Sequence, residues 1–369
     1  MRSPGACVPA DARAARQEAL RAAIAREGLD ALLVTHLANI RYLTGFTGSA
    51  GLLLVRPSDA VLITDFRYAT QAPHEAGNAA IVEIDQTSVW QRLGRLFSAT
   101  PPAVLGIEAH ALTVRDAERV REATKGRVQP TSDLVERLRA RKDPGEVAAI
   151  RAAATLAQEA LAEVLPAVRS GQTELEIAAV LEGALRRRGS EWHPFSTIVA
   201  SGPRAALPHA RTSSRTVERG DWLLLDFGAQ VDGYCADLTR TVLVGARADE
   251  RQRTVYELVR SAQERALMNL RPDMTGRDAD ALAREVIGAR GFADAFGHSL
   301  GHGLGLEVHE APRLAPTAEA PLPAHAVVTV EPGIYLPGWG GVRLEDDVYL
   351  APQGPECLSD NRTELLELT

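Results

Sequence analysis

Four acidic residues stand in apolar segments of the second half of the chain. Asp226 ends the apolar run GDWLLLDFG, and Asp237 follows in YCADLTRTV. Glu331 ends a second run, AVVTVEPGIY, and Glu345 follows in GGVRLEDDV. Carboxylates in a core cannot all stay ionised without a compensating cation, because an unpaired buried charge costs several kcal/mol. The four acids therefore predict a pair of bound metal ions.

Three histidines offer a nitrogen ligand for such a site. His298, His302 and His309 fall within GHSLGHGLGLEVH at 297–309, whereas the whole chain has nine histidines. The glycines of this segment disfavour a helix, so the imidazoles are predicted to stand on a loop or a strand edge. Oxygen-rich ligation with one imidazole suits manganese, or zinc and cobalt less selectively. Two such ions can hold a bridging hydroxide as the nucleophile of a hydrolase.

The two pairs of acids stand in similar surroundings. Asp226-Phe227-Gly228 aligns with Glu331-Pro332-Gly333, so we interpret the second half as a diverged internal repeat. Each repeat is expected to place one acid at a strand end and the other on the return strand of a hairpin. Asp346 and Asp347, directly after Glu345, are expected to be exposed to solvent.

Two domains are predicted from the elements that must position these residues. The first third alternates helical and strand patterns, which is typical of a small α/β layer, and it gathers no dense group of reactive side chains. Its helix is predicted at 12–27, and its apolar runs lie at 31–34, 51–55, 60–63 and 104–107. A charged connection at 131–142 follows, so we predict domains at 1–133 and 134–369.

Helix-start signals mark the beginning of the second domain. Asp143-Pro144-Gly145-Glu146 places an acceptor at the N-cap, a proline at the first helical position and a carboxylate three residues after the cap. Thr173 and Glu176 repeat the capping-box spacing. Gly189 is predicted to end that second helix.

Composition restricts the class of protein. The 369 residues include 41 Lys and Arg against 48 Asp and Glu, a formal charge of -7, which argues against nucleic acid as the main partner. The cysteines, Cys7, Cys235 and Cys357, are odd in number and widely spaced, so we expect no disulfide framework and no thiolate zinc site. Without a signal-peptide pattern or a membrane-spanning apolar stretch, the sequence predicts a soluble cytoplasmic protein.

These motifs resemble the pita-bread metallopeptidases: aminopeptidase P, prolidase and, more distantly, methionine aminopeptidase and creatinase. The resemblance spans most of the chain, because IRYLTGFTGSAG at 40–51 is similar to the N-terminal domain of the proline-directed branch. It implies an α+β fold in which an N-terminal creatinase-like α/β domain precedes a C-terminal pita-bread catalytic domain. It also implies a homodimer or higher homo-oligomer that acts on peptides with proline at the second position. No membrane partner is expected, because no apolar stretch is long enough to span a bilayer.

The resemblance implies five metal ligands. In the family pattern Asp237 and Glu345 bridge the two metals. Asp226 completes the coordination of one metal, and His302 and Glu331 complete the coordination of the other. Glu331 is also implied to be the proton shuttle for the bridging water.

The resemblance further implies residues that contact substrate. His209 and His309 resemble the histidines that stabilise the oxyanion and hold the scissile carbonyl. His298 resembles the wall of the proline pocket, and Arg343 resembles the active-site arginine. Arg313 matches a position that in some prolidases holds the proline carboxylate. The remaining histidines fit none of these roles and are interpreted as structural or surface residues: His36, His74, His110, His193 and His325.

The function implied by the resemblance is a metal-dependent Xaa-Pro aminopeptidase. The alternative is an Xaa-Pro dipeptidase, a prolidase. The chain length and the FTGSAG segment favour the first, and Arg313 favours the second.

Two other classes of function are less well supported. The segment 297–301 matches the G-x-S-x-G elbow of serine hydrolases, but a glycine-rich run follows it where an elbow needs a helix. A non-catalytic pita-bread binding module would generally lose ligands, whereas all five are present here.

Overall fold

The computed structural model describes residues 10–359 and 364–369, and Cys7 and the N-terminal segment weighed as a signal peptide lie outside them. The chain divides into two compact units between Arg139 and Ala140. The domain bounds 1–133 and 134–369 remain a proposal. None of the helices in the described residues has the length and apolar character needed to cross a bilayer. Cys235 and Cys357 are free thiols.

The first unit is a six-stranded mixed sheet with helices. Its helices are α1 Ala10–Arg26, α2 Leu37–Thr44, α3 Gln71–Ala76, α4 Val89–Ala99, α5 Val114–Ala123 and α6 Glu136–Arg139. Its strands are β1 Ala31–Val34, β2 Leu52–Val55, β3 Ala60–Asp65, β4 Ile81–Asp85, β5 Val104–Glu108 and β6 Arg127–Thr131. They lie in the order β4-β3-β2-β1-β5-β6, in which β1, β5 and β6 are parallel neighbours.

The sequence predicted the inner strands of this sheet and missed its two edges. The predicted runs correspond to β1, β2, β3 and β5, which are almost wholly buried and have a neighbouring strand on each side. The strands β4 and β6 stand at the ends of the sheet and are partly exposed. Edge strands need fewer apolar residues, so their sequences carry a weaker signal.

The second unit holds the residues that are predicted to bind metal or substrate. Its helices are α7 Pro144–Val164, α8 Glu174–Arg188, α9 Glu250–Asn269 and α10 Gly276–Gly288. Its strands are β7 Ile198–Ser201, β8 Trp222–Val231, β9 Tyr234–Val244, β10 Gly301–Gly303, β11 Glu310–Leu314, β12 Val327–Val330, β13 Gly333–Leu336, β14 Gly340–Arg343, β15 Asp346–Ala351, β16 Gly354–Cys357 and β17 Glu367–Leu368. The sheets have the orders β17-β9-β8-β7, β11-β10-β12-β15-β16 and β13-β14.

Each half of this unit has a pair of helices packed on strands. The helices α7 and α8 share an apolar core with β8 and β9. The helices α9 and α10 share another with β12, β14 and β15. The recurrence of a helix pair and a strand hairpin agrees with the predicted internal repeat, and the two cores leave the strands as a rigid base for polar side chains.

The predicted helix caps are confirmed. The Asp143 carboxylate accepts a hydrogen bond from the Glu146 amide at 2.9 Å, and the Glu146 carboxylate accepts one from the Asp143 amide at 2.9 Å. Thr173 and Glu176 form the same reciprocal pair at the start of α8. Gly189 ends α8 with a φ of 105°, a conformation that costs glycine little.

A buried carboxylate fixes the segment that leads to His209. Glu174, at the start of α8, is 0% exposed. It accepts hydrogen bonds from the amides and hydroxyls of Ser201 and Ser213 and from the Arg204 guanidinium. These bonds join the two ends of the stretch 201–213, so its path depends on this one side chain.

We predict that Glu174→Ala lowers the free energy of unfolding by about 3 kcal/mol or more, because it leaves buried donors without an acceptor. Urea denaturation measures this. The matched control is Glu163→Ala, which removes exposed ion pairs to Arg187 and Arg188 and should cost about 1 kcal/mol or less. Equal losses in both variants would contradict the importance of the Glu174 contacts.

Candidate metal centre

The hairpin β8–β9 presents two acids on one face. Asp226 lies opposite Thr239, and Gly228 lies opposite Asp237. Opposed residues and residues two apart share a face of a sheet, so the carboxylates of Asp226 and Asp237 point to the same side. A side chain at Gly228 would collide with the Ala236 carbonyl, and glycine therefore keeps the space between the two acids open.

The second hairpin has the same register but a different distribution of charge. Gly333, which aligns with Gly228, lies opposite Arg343. Arg343 is therefore the structural counterpart of Asp237, and Glu345, two residues later, is the counterpart of Thr239. The acids that follow the two turns, Asp237 and Glu345, are therefore offset by two residues between the repeats. Since strand side chains repeat with a period of two, Glu345 still reaches the same face.

Thr239 joins the two hairpins at the acids. It forms an isolated β-bridge with Glu345, and its hydroxyl donates to the Glu345 carboxylate at 2.5 Å. This contact brings an acid of the second repeat to the face that carries Asp226 and Asp237. Thr239 was not predicted from the sequence, although its position two residues after Asp237 was the available signal.

His302 enters the group from β10. Its Nδ1 lies 3.1 Å from the Gly303 carbonyl, which assigns the proton to Nδ1 and leaves Nε2 with a lone pair. That Nε2 lies 3.4 Å from Glu331 and 3.8 Å from Asp237. One ligand atom from each of Asp237, His302 and Glu345 lies within 4.8 Å of the other two. The prediction that the histidine segment is not helical is confirmed.

The glycines around His302 allow close packing of strands. A side chain at Gly301 would collide with the Thr329 carbonyl of β12, and one at Gly303 would collide with the Ala311 carbonyl of β11. The strand β10 therefore fits between its two neighbours only with glycine at these positions, and His302 is held in place between them.

Burial shifts the pKa values of the acids and of His302. It raises the pKa of Asp237 and of Glu345 well above their usual ranges, with nearby carboxylates adding to the effect. Burial also raises the pKa of Glu331 to about 8. Burial, with His309 beside it, lowers the pKa of His302 to about 4. The site thus concentrates carboxyl groups around a neutral imidazole.

These residues fit divalent cations. Among the described residues, the buried Oδ1 atoms of Asp226 and Asp237 have no hydrogen-bond partner. An unsatisfied carboxylate oxygen is costly in an interior unless a cation takes the place of a donor. Carboxylate oxygens with one neutral imidazole are donors that manganese, zinc and cobalt accept.

Arg343 is the central hydrogen-bond donor of the site. It is 3% exposed, and its guanidinium donates to Asp226 at 2.5 Å and to the Thr239 hydroxyl at 3.0 Å. It also donates to the Tyr335 hydroxyl at 2.8 Å, which lies 2.8 Å from Nε2 of His298. Arg343 therefore connects an acid to a histidine through Tyr335, a residue that the sequence analysis did not single out.

The other predicted substrate-contacting residues lie close to this group. The rings of His302 and His309 are in edge contact, with centres 4.3 Å apart. The exposed His209 follows Pro208, whose carbonyl accepts from Arg343 at 3.1 Å. Arg313 lies opposite His302 in the β10–β11 pair and is exposed. All the predicted site residues are thus brought to one region of the second unit.

The expectation for Asp346 and Asp347 is wrong, since both are 0% exposed. They lie on β15, between β12 and β16, and because adjacent strand residues point to opposite faces, both faces are buried here. Asp346 accepts from Arg240, Gln263 and Ser359. Asp347 accepts from the amide of Asp237 at 3.2 Å and so supports the strand that carries this acid.

Comparison with known proteins agrees with this architecture. Residues 148–352 match the model of metallopeptidase family M24, and residues 16–141 match the Creatinase/Prolidase N-terminal domain. An Xaa-Pro dipeptidase of Pyrococcus furiosus is 35% identical over 92% of this chain and 95% of its own length.

Solved structures agree over nearly the whole length. The Xaa-Pro dipeptidase from Bacillus anthracis is 39% identical with a TM-score of 0.93, covering 96% of this chain and 100% of that one. The X-Pro aminopeptidase from Thermotoga maritima MSB8 is also 39% identical, with a TM-score of 0.88, and covers 95% and 99%.

The fold predicted from the sequence is confirmed: a creatinase-type N-terminal domain precedes a pita-bread catalytic domain. The family model covers more than half of the chain and includes every acid and histidine of the metal centre. Together with full-length similarity to enzymes of this kind, it establishes that the chain belongs to metallopeptidase family M24.

Proposed function

We propose that this chain is an Xaa-Pro dipeptidase, a prolidase that depends on two divalent metal ions. The observation that carries the choice of substrate is Arg313, an exposed cation directly across the β10–β11 pair from His302. The named activities of the Bacillus anthracis and Pyrococcus furiosus relatives support it. Xaa-Pro aminopeptidase, the first choice from sequence, is the second candidate, because the Thermotoga maritima relative carries that name at the same identity.

Five residues would hold the metals: Asp226, Asp237, His302, Glu331 and Glu345. We propose manganese as the ion, with zinc and cobalt as alternatives, because oxygen donors outnumber the single nitrogen. When bound, the ions would polarise the scissile carbonyl and supply a water of lowered pKa. Neutralising the buried carboxylates would also remove the electrostatic cost described above.

Proton transfer is assigned to Glu331. Its carboxylate lies 3.4 Å from Nε2 of His302 and so borders the place where the metals and their water would be held. A general base must lie within hydrogen-bond reach of the proton that it takes. Glu331 is therefore suited to take a proton from the attacking water and deliver it to the departing proline nitrogen.

The surrounding residues would orient the peptide. His209 and His309 would donate hydrogen bonds to the oxyanion, the charge that develops as the carbonyl is attacked. His298 lies beside Tyr335, with ring centres 5.4 Å apart, and the faces of these rings would pack against a proline ring. Arg313 would pair with the free carboxylate of a dipeptide. A longer peptide has an uncharged amide at that point, so Arg313 would stabilise its binding less.

The experiment that separates the two activities uses an Xaa-Pro dipeptide and an Xaa-Pro-Yaa tripeptide side by side. We expect the metal-stripped, manganese-reconstituted chain to cleave the dipeptide with the higher kcat/KM. Arg313→Met should raise KM for the dipeptide by about 10- to 100-fold, as expected for losing a hydrogen bond to a charged group, and should change the tripeptide value far less.

The control for this variant is Arg290→Met, an exposed arginine at the end of the α10 region, which should change neither KM. Product analysis by mass spectrometry follows each reaction. If the tripeptide is cleaved at the Xaa-Pro bond with the higher kcat/KM and Arg313→Met is silent, the chain is an Xaa-Pro aminopeptidase. If neither peptide is cleaved, the proposed activity is wrong.

Two variants separate metal binding from orientation of the substrate. Asp237→Asn should abolish turnover and lower the metal content, because it removes a carboxylate that would hold the metals. His309→Ala should lower kcat by about 100-fold or more while metal content stays unchanged, the loss expected for one oxyanion donor. Metal analysis of the purified variants gives the readout. A fully active Asp237→Asn chain with bound metal, or a metal-free His309→Ala chain, would contradict these assignments.

The stability of the metal-free protein should fall as pH rises from about 7 to about 8. In this window the folded chain keeps a proton on Glu331, whose pKa is raised to about 8, whereas the unfolded chain has lost it near its model value of 4.5. Because the folded state then binds more protons, stability decreases with pH. His298 and His302, with pKa values lowered to about 4, act in the opposite direction only at lower pH.

The expected decrease is on the order of 1 kcal/mol, measured by urea denaturation in the presence of EDTA. Saturating manganese should remove it, since the metals keep the carboxylates ionised. Glu331→Gln, which cannot titrate, should show a smaller slope. A metal-free protein whose stability rises across this window would contradict the shifted pKa of Glu331.

A further inference from the structure

Three polar residues of the first unit meet at the same edge of its sheet. His36 follows the end of β1 by two residues, and His110 follows the end of β5 by two residues. Glu136, the first residue of α6, comes after the end of β6. Because β1, β5 and β6 are parallel neighbours, the segments that follow them emerge at one edge. The carboxyl ends of parallel strands are the usual ligand-binding edge of α/β sheets.

The three side chains are close enough to share one ion. A ligand atom from each of His36, His110 and Glu136 lies within 4.8 Å of the other two. Nε2 of His110 lies 3.2 Å from the Glu136 carboxylate, and the two imidazole rings are in edge contact with centres 5.4 Å apart. With bonds of about 2.0–2.2 Å, tetrahedral ligands stand roughly 3.3–3.5 Å apart, so small side-chain rotations would complete the site.

Buried hydrogen bonds hold the three segments in place. Glu108, at the end of β5, accepts from the amides of Thr35 and His36 at 2.6 Å and 2.8 Å. The side chain of Asn39, which is 0% exposed, donates to Glu108 at 2.7 Å and to Glu136 at 2.5 Å. Arg139 donates to the other side of the Asn39 amide at 2.7 Å. Such supporting hydrogen bonds orient ligands in metal sites.

We propose that His36, His110 and Glu136 form a zinc site in the first unit, separate from the metal centre of the second unit. Two imidazoles and one carboxylate are a ligand set that zinc takes in proteins. The His110 side chain is 42% exposed, so a water molecule can reach the fourth position. This assigns a role to two histidines that the sequence analysis interpreted as structural or surface residues.

A simple ion pair between His110 and Glu136 is the alternative explanation of their contact. It accounts for two of the three residues, whereas the edge contact between the rings of His36 and His110 brings a third ligand to the same place. It also predicts no uptake of metal. Zinc binding therefore separates the two explanations.

The test counts zinc in the full-length chain. Asp237→Asn combined with Glu345→Gln removes ligands of the second-unit centre, and this background should retain one zinc per chain after dialysis. Adding His110→Ala or Glu136→Gln should weaken zinc binding by more than the ~10- to 100-fold that loss of a supporting hydrogen bond costs. The matched control is His74→Ala, which removes an exposed histidine of the same unit. Mass-spectrometric metal analysis and zinc titration give the readouts.

A second measurement covers failure of the double variant to fold. In the otherwise unchanged chain, His110→Ala should lower the zinc content by one per chain relative to His74→Ala, and peptidase activity is not needed to see it. Zinc content that is unchanged in His110→Ala, Glu136→Gln and His74→Ala overturns the proposal. An equal decrease in all three variants also overturns it, because it indicates unspecific binding by surface histidines.

Discussion

The constraint on which the catalytic unit depends is the burial of several carboxylates that cannot all be ionised without cations. Asp226 has a partner in Arg343, but Asp237 and Glu345 lie among other acids, and burial raises the pKa of both. Keeping such a group together requires strands that cannot move apart, because separated acids would simply become solvated. The two helix-covered cores under the hairpins provide this rigidity. Apolar packing thus offsets the electrostatic cost until metal ions remove it.

Backbone spacing is as important as charge in this arrangement. His302 stands on a three-residue strand whose flanking glycines let β10 approach β11 and β12, and Gly228 leaves open the space opposite Asp237. A methyl group at any of these glycines would collide with a carbonyl of the neighbouring strand. The positions of the metal-ligating atoms therefore depend on these glycines, which have no side chain and let the strands approach. Arg343 then fixes one acid by direct hydrogen bonding and another through Thr239.

Local patterns were sufficient to predict the helix caps and the inner strands, because each depends on residues close together in sequence. The acids around His302 come from segments far apart, and the recurring hairpin pattern together with the family resemblance was the signal that linked them. Burial of Asp346 and Asp347 could not be predicted, since it depends on β15 lying between β12 and β16. The same limit applies to His36, His110 and Glu136. Their proximity follows from the order of β1, β5 and β6 in the sheet, and no spacing within the sequence encodes that order.

The internal repeat explains how one site acquires both an anionic and a cationic side. The two hairpins share a register, so a strict duplication would place two acids of each repeat at equivalent positions with no cation among them. Instead Arg343 occupies the position of Asp237, and Glu345 occupies that of Thr239. The arginine removes one carboxylate from the equivalent position and donates to Asp226 of the other repeat. Divergence between the repeats thus converts a symmetric cluster of acids into a site with a fixed cation on one side and space for metal ions on the other.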